Sequence, residues 1–220
     1  MKNLKKNIGF SLLTILLLSS CSTVKISDTW KEVNPTELKE KNVLVVTQSK
    51  NFTIRERFES DLTNQLNQQG IQATESYKQY PNLKPVEQGS PEELEKVAQS
   101  IKTNGYDVVV MSVLRDIEEY TTTVTSGTTY SVQTLPAYYP RRGPYRSFYR
   151  GFNTVYVEGG PYETTTSNNK KYIVETMVYD LTKEEDEQLL SIITSTIENP
   201  ESLGTTSKDF SKKVMKQLTK

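Results

Sequence analysis

The chain has 220 residues, with 27 Lys and Arg balanced by 27 Asp and Glu, no His, and a single Cys at position 21. Without His or a second Cys, it has no Ser-His-Asp or Cys-His catalysis, no His or Cys metal site and no intrachain disulfide, so no catalytic residue, metal or cofactor is assigned. Hydrophobic residues make up 35%, and with the ten glycines about 40%, below the roughly 45–50% usual on that count, so a modest core and a long polar segment are expected.

Lys2, Lys5 and Lys6 precede an apolar run of 11 residues, Ile8–Leu18, broken only by Gly9, Ser11 and Thr14. As a helix that run spans about 16 Å, roughly half of a ~30 Å hydrocarbon core, so a removable signal over residues 1–20 is expected rather than a membrane span. Its loss leaves 24 cations against 27 anions, a net charge of −3, and no general attraction to nucleic acid is expected. The run ends in Leu18-Ser19-Ser20-Cys21, which resembles the lipobox of bacterial lipoprotein precursors. The resemblance implies cleavage before Cys21, a diacylglycerol on its thiol, an acylated amino group, and a membrane partner through that lipid. Two or three acyl chains hold a protein stably on a bilayer, where one does not. Ser22, not being Asp, resembles the residues that route such proteins to the outer membrane, facing the periplasm.

The mature chain, 21–220, reads as one domain over about 24–220. Val24, Ile26 and Trp30 at even spacing suggest a strand or extended arm, followed by a charged connector, Lys31–Asn42, that contains Pro35. Val43–Val46 is uniformly apolar, as in a strand buried on both faces. Ile54, Phe58, Leu62 and Leu66 predict an amphipathic helix over about Thr53–Gln68, stopped by Gly70. Ile71–Tyr77 alternates like a strand, and Tyr80–Gly89, with Pro81 and Pro85, reads as a loop. Ser90-Pro91-Glu92-Glu93 is a helix start, Leu94, Val97, Ala98 and Ile101 its buried face, and Asn104-Gly105 its stop.

Val108–Leu114 is the most apolar run of the mature chain and is expected to be the central strand, extending through Arg115–Val124 as an edge leaving the core. Ser126–Asn169, rich in Pro, Gly, Tyr and Arg, keeps no period and reads as a long flexible insert with a hairpin around Val155–Val157. Tyr172–Leu181 and Gln188–Ile197 predict an antiparallel hairpin across the acidic turn Thr182–Glu187, ended by Asn199-Pro200. A last helix is expected over about Ser207–Leu218, from Phe210, Val214 and Leu218. Two consecutive strand–helix–strand units followed by a hairpin and a helix give an α/β fold, a mixed sheet with helices packed on it.

From Ile26 onward the layout resembles an uncharacterised domain-of-unknown-function family of small bacterial envelope lipoproteins. The matching stretches are Asp28-Thr29-Trp30, Val43–Val46, Thr53–Gln68 with Gly70, Glu75-Ser76-Tyr77, Tyr106–Val110, the Tyr/Pro/Gly insert and the paired strands ending at Asn199-Pro200. Leu190-Ser191 departs from the pattern, which has an aromatic before the Ser. The resemblance implies a periplasmic α/β sandwich and brings no catalytic residues.

One functional constellation stands out besides Cys21. Arg141, Arg142, Arg146 and Arg150 lie within ten residues with no Asp or Glu between them, beside Tyr145 and Tyr149. Guanidinium forks suit phosphate or carboxylate and Tyr rings supply stacking faces, so an anionic lipid, a glycan or a protein partner is a candidate; solvated Arg and locally packed Tyr is the plainer reading. Glu118 and Glu119 on one strand point to opposite faces, Glu184–Glu187 form a charged turn, and lone Trp30, Tyr77 and Tyr80 read as packing. Neither phosphate-loop signature nor G-x-S-x-G occurs. A non-enzymatic, membrane-anchored envelope lipoprotein is therefore the functional expectation, with a carboxylate-dependent envelope hydrolase acting on glycan as the alternative.

Overall fold

Neighbouring side chains of the run Val43–Val46 point to opposite faces, and both faces are covered. In the computed structural model, which describes residues 23–32, 35–81, 91–122, 130–131 and 167–220, this run opens β2 (Val43–Gln48). Val43 and Val45 join a core with Leu62 and Leu66 of α1 (Phe52–Gln68) and with Phe210 and Val214 of α4 (Leu203–Leu218). Leu44 and Val46 join a second core with Leu94 and Ile101 of α3 (Pro91–Thr103). Full burial of one such Leu stabilises by roughly 1.5–3 kcal/mol. The result is an α/β sandwich, with a mixed sheet between two helical layers.

The remaining strands are β1 (Val24–Lys31), β3 (Ala73–Glu75), β4 (Val108–Thr122), β5 (Tyr130–Ser131), β6 (Ser167–Asp180) and β7 (Leu189–Glu198). The sheet runs β1-β7-β6-β4-β2-β3, with β5 paired to β4 off that path. β2 is parallel to both β3 and β4, while β4/β6, β6/β7 and β7/β1 are antiparallel. The crossovers from β2 to β3 and from β3 to β4 run in opposite directions across the sheet. Their helices, α1 and α3, lie on opposite faces. Reversing both direction and face keeps one hand, as parallel crossovers require.

Several boundaries differ from expectation. The stretch Ile71–Tyr77 holds only three strand residues before the chain closes a helical turn, α2 (Ser76–Gln79). Buried Glu59 draws the Tyr77 amide at 2.8 Å and the Ser76 hydroxyl at 2.8 Å, which bends the chain there. α4 begins at Leu203 rather than near Ser207, because Ser202 Oγ accepts from the Thr205 amide at 3.2 Å and caps the first turn. β4 extends beyond its apolar run as expected, and the extension is paired. Beyond Val113, the partner of Gln48, it continues to Thr122 against β6, which itself starts at Ser167 inside the expected insert. Glu118 faces Lys171 and Glu119 faces Lys170 across this arm, at 2.8 and 2.7 Å. Such cross-strand pairs each contribute roughly 0.2–1 kcal/mol. β5 also lies in the expected insert, opposite Glu119 and Tyr120. The Val155–Val157 hairpin and the Ser90 cap lie outside the described residues.

Candidate functional site

Two helices start at the same end of the sheet. β2 ends at Gln48, and Asn51 caps α1 by accepting from the Thr53 and Ile54 amides at 3.0 and 3.3 Å. On the other side of the sheet path, β7 ends at Glu198 and Asn199 turns the chain at φ 44°. Lys170 and Asn199 then exchange bonds. The Lys170 amide donates to Asn199 Oδ1, and the Asn199 amide donates to the Lys170 carbonyl, each at 2.9 Å. That lock directs the chain into the Ser202 cap of α4.

Between the two helix starts lies a cleft of about 600 Å³. Its floor is sheet: Leu114 of β4, Tyr172 and Val174 of β6, and Ile197 of β7. Ile54 and Phe58 of α1 form one wall, and Leu203 and Thr206 of α4 the other. Small-molecule sites occupy about 300–1,000 Å³ and are mostly apolar with a few polar groups, and in sheets with parallel strands they gather at strand carboxyl ends. This cleft fits each description. Among the described residues five buried side-chain polar atoms lack a hydrogen-bond partner; Gln48 Nε2 and Thr206 Oγ1 belong to residues that line the cleft, and Thr63 Oγ1, Ser195 Oγ and Ser211 Oγ to residues that do not. A buried polar group left unpaired costs about 1–3 kcal/mol. Lys50 and Glu201 stand at the rim, and each helix start carries roughly half a positive charge.

A buried ionic knot holds the α1 side in place. Arg55 Nε donates to Glu59 Oε1 at 3.0 Å, and both side chains are almost wholly buried. The same carboxylate accepts from the Thr47 amide at 2.9 Å. Arg55 reaches Ser76 Oγ at 2.8 Å and the Tyr80 carbonyl at 3.1 Å. Desolvation raises the Glu59 pKa, opposed by the bonds from Thr47, Ser76 and Tyr77 and by the Arg55 charge. On the α4 side, Arg57 pairs with Asp61 at 2.9 Å, and the Ser207 hydroxyl donates to that carboxylate at 2.5 Å. Both helices are thereby tied down one turn from the cleft.

Of the residues singled out from sequence, Cys21, Arg141, Arg142, Arg146, Arg150, Tyr145 and Tyr149 lie outside the described residues. Trp30 is partly buried against the core under α3. Tyr77 stacks edge-on to Phe52 at 6.0 Å, and Tyr80 Oη accepts from Asn104 at 2.9 Å. Glu118 and Glu119 go to separate lysines and Glu184–Glu187 to the surface turn, so neither cluster converges on the cleft. Gln48 and Thr206 escaped sequence reasoning. The only local signal was the position of Gln48 just after a doubly buried run. Among the described residues no group of His, Cys, Asp and Glu could hold a metal ion, and no helix is long and apolar enough to cross a membrane.

No family model matches the chain, and no curated protein does. Among solved structures it is similar to the PelC dodecamer from Paraburkholderia phytofirmans, at 11% identity and TM-score 0.45, over 87% of this chain and 96% of that one. A single-substitution variant of that PelC follows at 10% and 0.40, over 87% and 94%. A DUF4136 family protein from Bacteroides thetaiotaomicron, a member of a family of unknown function, matches at 10% and 0.39, over 89% and 96%. At these scores the likeness carries no residue and no activity over to this chain.

Proposed function

We propose that this chain is a lipid-anchored cell-envelope protein whose α/β domain binds a ligand in the cleft between α1, α4 and the sheet, without catalysing a reaction. The observation that carries the binding role is the cleft itself, about 600 Å³ over a floor of Leu114, Val174 and Ile197, walled by Ile54, Phe58 and Leu203 and edged by polar residues such as Lys50, Asn51, Glu201 and Ser202. The anchor rests on Leu18-Ser19-Ser20-Cys21 and its likeness to a lipobox. Cys21 is the membrane attachment, and Ser22 favours the outer membrane, facing the periplasm. Arg141, Arg142, Arg146 and Arg150, with Tyr145 and Tyr149, form a second contact for an anionic lipid, glycan or protein surface.

Two measurements test the two halves. Fatty-acid labelling of cells should mark the wild type and leave Cys21→Ala unlabelled, either uncleaved or lost from the detergent phase; equal labelling would remove the anchor. For the cleft, native protein is extracted from membranes and whatever co-purifies is identified. Ile54 stands at the lip of the cleft with 37% exposure, so Ile54→Glu changes the mouth at little risk to the core. The co-purifying molecule should be depleted in that variant. Equal recovery from both proteins would remove the cleft from the function.

A further inference from the structure

We infer that the outer face of α4 docks on the anionic surface of a lipid bilayer through a ridge of lysines, Lys208, Lys212 and Lys216. Four residues apart, they line one side of the helix, each about 6 Å along the axis from the last. All three are exposed, and none has a hydrogen-bond or ion-pair partner among the described residues. α4 carries four Lys against one Asp, and that Asp209 pairs with Lys213 at 3.3 Å. The other two long helices lean the opposite way: α1 holds two Arg and three acids, α3 two Lys and three Glu. α1 also pairs opposite charges four apart, Arg55 with Glu59 and Arg57 with Asp61, which leaves Glu56 as its exposed acid. Like charges four apart weaken a helix instead. Lys216 lies in the last turn and suits the negative end of the helix, but Lys208 and Lys212 have no such local reason. Helix stability therefore does not account for the ridge, whereas an anionic partner does.

Position and surroundings make that partner a bilayer. The Lys213 amine donates to the Val24 carbonyl, which fixes the start of β1 beside α4. Cys21 is three residues before Val24, a reach of at most about 11 Å in extended chain. The anchor reading thus supplies the membrane, and the ridge is a separate contact that the lipid keeps close to it. Among the described residues the large hydrophobics left exposed are Phe52 and Ile54, both in the first turn of α1, the helix packed against α4. Basic side chains near exposed apolar ones suit the boundary between head groups and hydrocarbon. Lys is a point charge on a flexible stem, which matches mobile head groups, whereas a shaped anion calls for the fork of Arg. A basic surface adds to a lipid anchor, so the two together turn the α1/α4 layer toward the bilayer.

The described core lies within Val24–Leu218, so a chain starting at Ser22 retains all of it and needs no detergent. Its binding to phosphatidylcholine vesicles, with and without phosphatidylglycerol, is measured by co-sedimentation at low salt. It should bind only the anionic vesicles. Lys212→Gln with Lys216→Gln should weaken that binding roughly thirtyfold, about fivefold for each Lys near an anionic surface. Lys96→Gln with Lys102→Gln, on α3 across the sheet, changes the net charge equally and should leave binding unchanged. Lys and Gln have similar helix propensity, so neither double variant should lower the thermal midpoint. Equal losses in the two double variants, or undiminished binding by the α4 variant, would overturn the proposal. A midpoint lowered in the α4 variant would make its lysines structural and overturn it too. Retention on heparin without binding to anionic vesicles would replace the bilayer by a soluble polyanion. This chain lacks Cys21, so the outcome is independent of the anchor. No vesicle binding, with Cys21 of the full chain still labelled by fatty acid, overturns the ridge alone; vesicle binding with Cys21 unlabelled overturns the anchor alone.

Discussion

Glu59 is fully buried, yet its carboxylate gathers the Thr47 amide, the Ser76 hydroxyl, the Tyr77 amide and the Arg55 guanidinium. Even so, desolvation prevails and its pKa is raised. A carboxyl raised on folding contributes stability that is complete below its unfolded value, near 4.5, and that is lost as pH rises through the higher folded value. Glu59→Gln abolishes this titration. The denaturation midpoint of the wild type, taken relative to Glu59→Gln, should therefore be highest in acid and fall toward neutral pH. A difference that stays constant between about pH 4 and pH 8 would contradict the burial argument. In the sequence, Arg55 and Glu59 look like an ordinary solvated pair four apart, and the four-residue stripe places Ile54 and Phe58 inward instead. The structure leaves Ile54 at a cleft mouth and buries the ion pair. Only the arrival of Ser76 and Tyr77 from beyond β3 makes that burial tolerable, since buried charges need complete partners.

At the scale of elements, the turn from β7 into α4 carries the site. Asn199 takes a left-handed φ of 44°, and its side chain bonds both the Lys170 amide and Asn169 Oδ1 at 2.9 Å. Asn199→Ala should cost about 1–2 kcal/mol from the backbone conformation alone, with the lost side-chain bonds added. Asn199→Gly recovers the backbone part and should fall between the two. Urea midpoints with an unchanged slope measure both; a Gly variant no more stable than Ala would show that the conformation is not what matters. The stop at Asn199-Pro200 was legible because both residues interrupt a strand. The start of α4 was not, because Gly204, Thr205 and Thr206 are poor helix formers. Packing of Thr206 and Ser207, both buried, together with the Ser202 cap, overrides that propensity.

For the whole molecule, charge is unevenly placed. Four Arg within ten residues sit on a mature chain of net −3, and screening over about 8 Å confines their attraction to close contacts. Changing Arg141, Arg142, Arg146 and Arg150 to Gln should weaken binding to anionic liposomes at low salt, and added salt should reproduce the loss in the wild type. Equal binding by both proteins at low salt would mean that these Arg are simply solvated.

What the sequence determined by itself was each element whose pattern is local. Val43–Val46 announced a strand buried on both faces, Val108–Leu114 a central strand, and the spacing of Leu94, Val97, Ala98 and Ile101 a helix with one buried face. These follow from side-chain periods of 2 and 3.6, which a short window contains. Tertiary structure alone decided the cleft. Gln48 and Thr206 are 158 positions apart in the chain, and they line one cleft only because the fold brings the start of α4 and the end of β2 to it. Their lack of partners is likewise a property of three-dimensional packing. No local window records which polar groups a fold will bury, or what it will leave beside them.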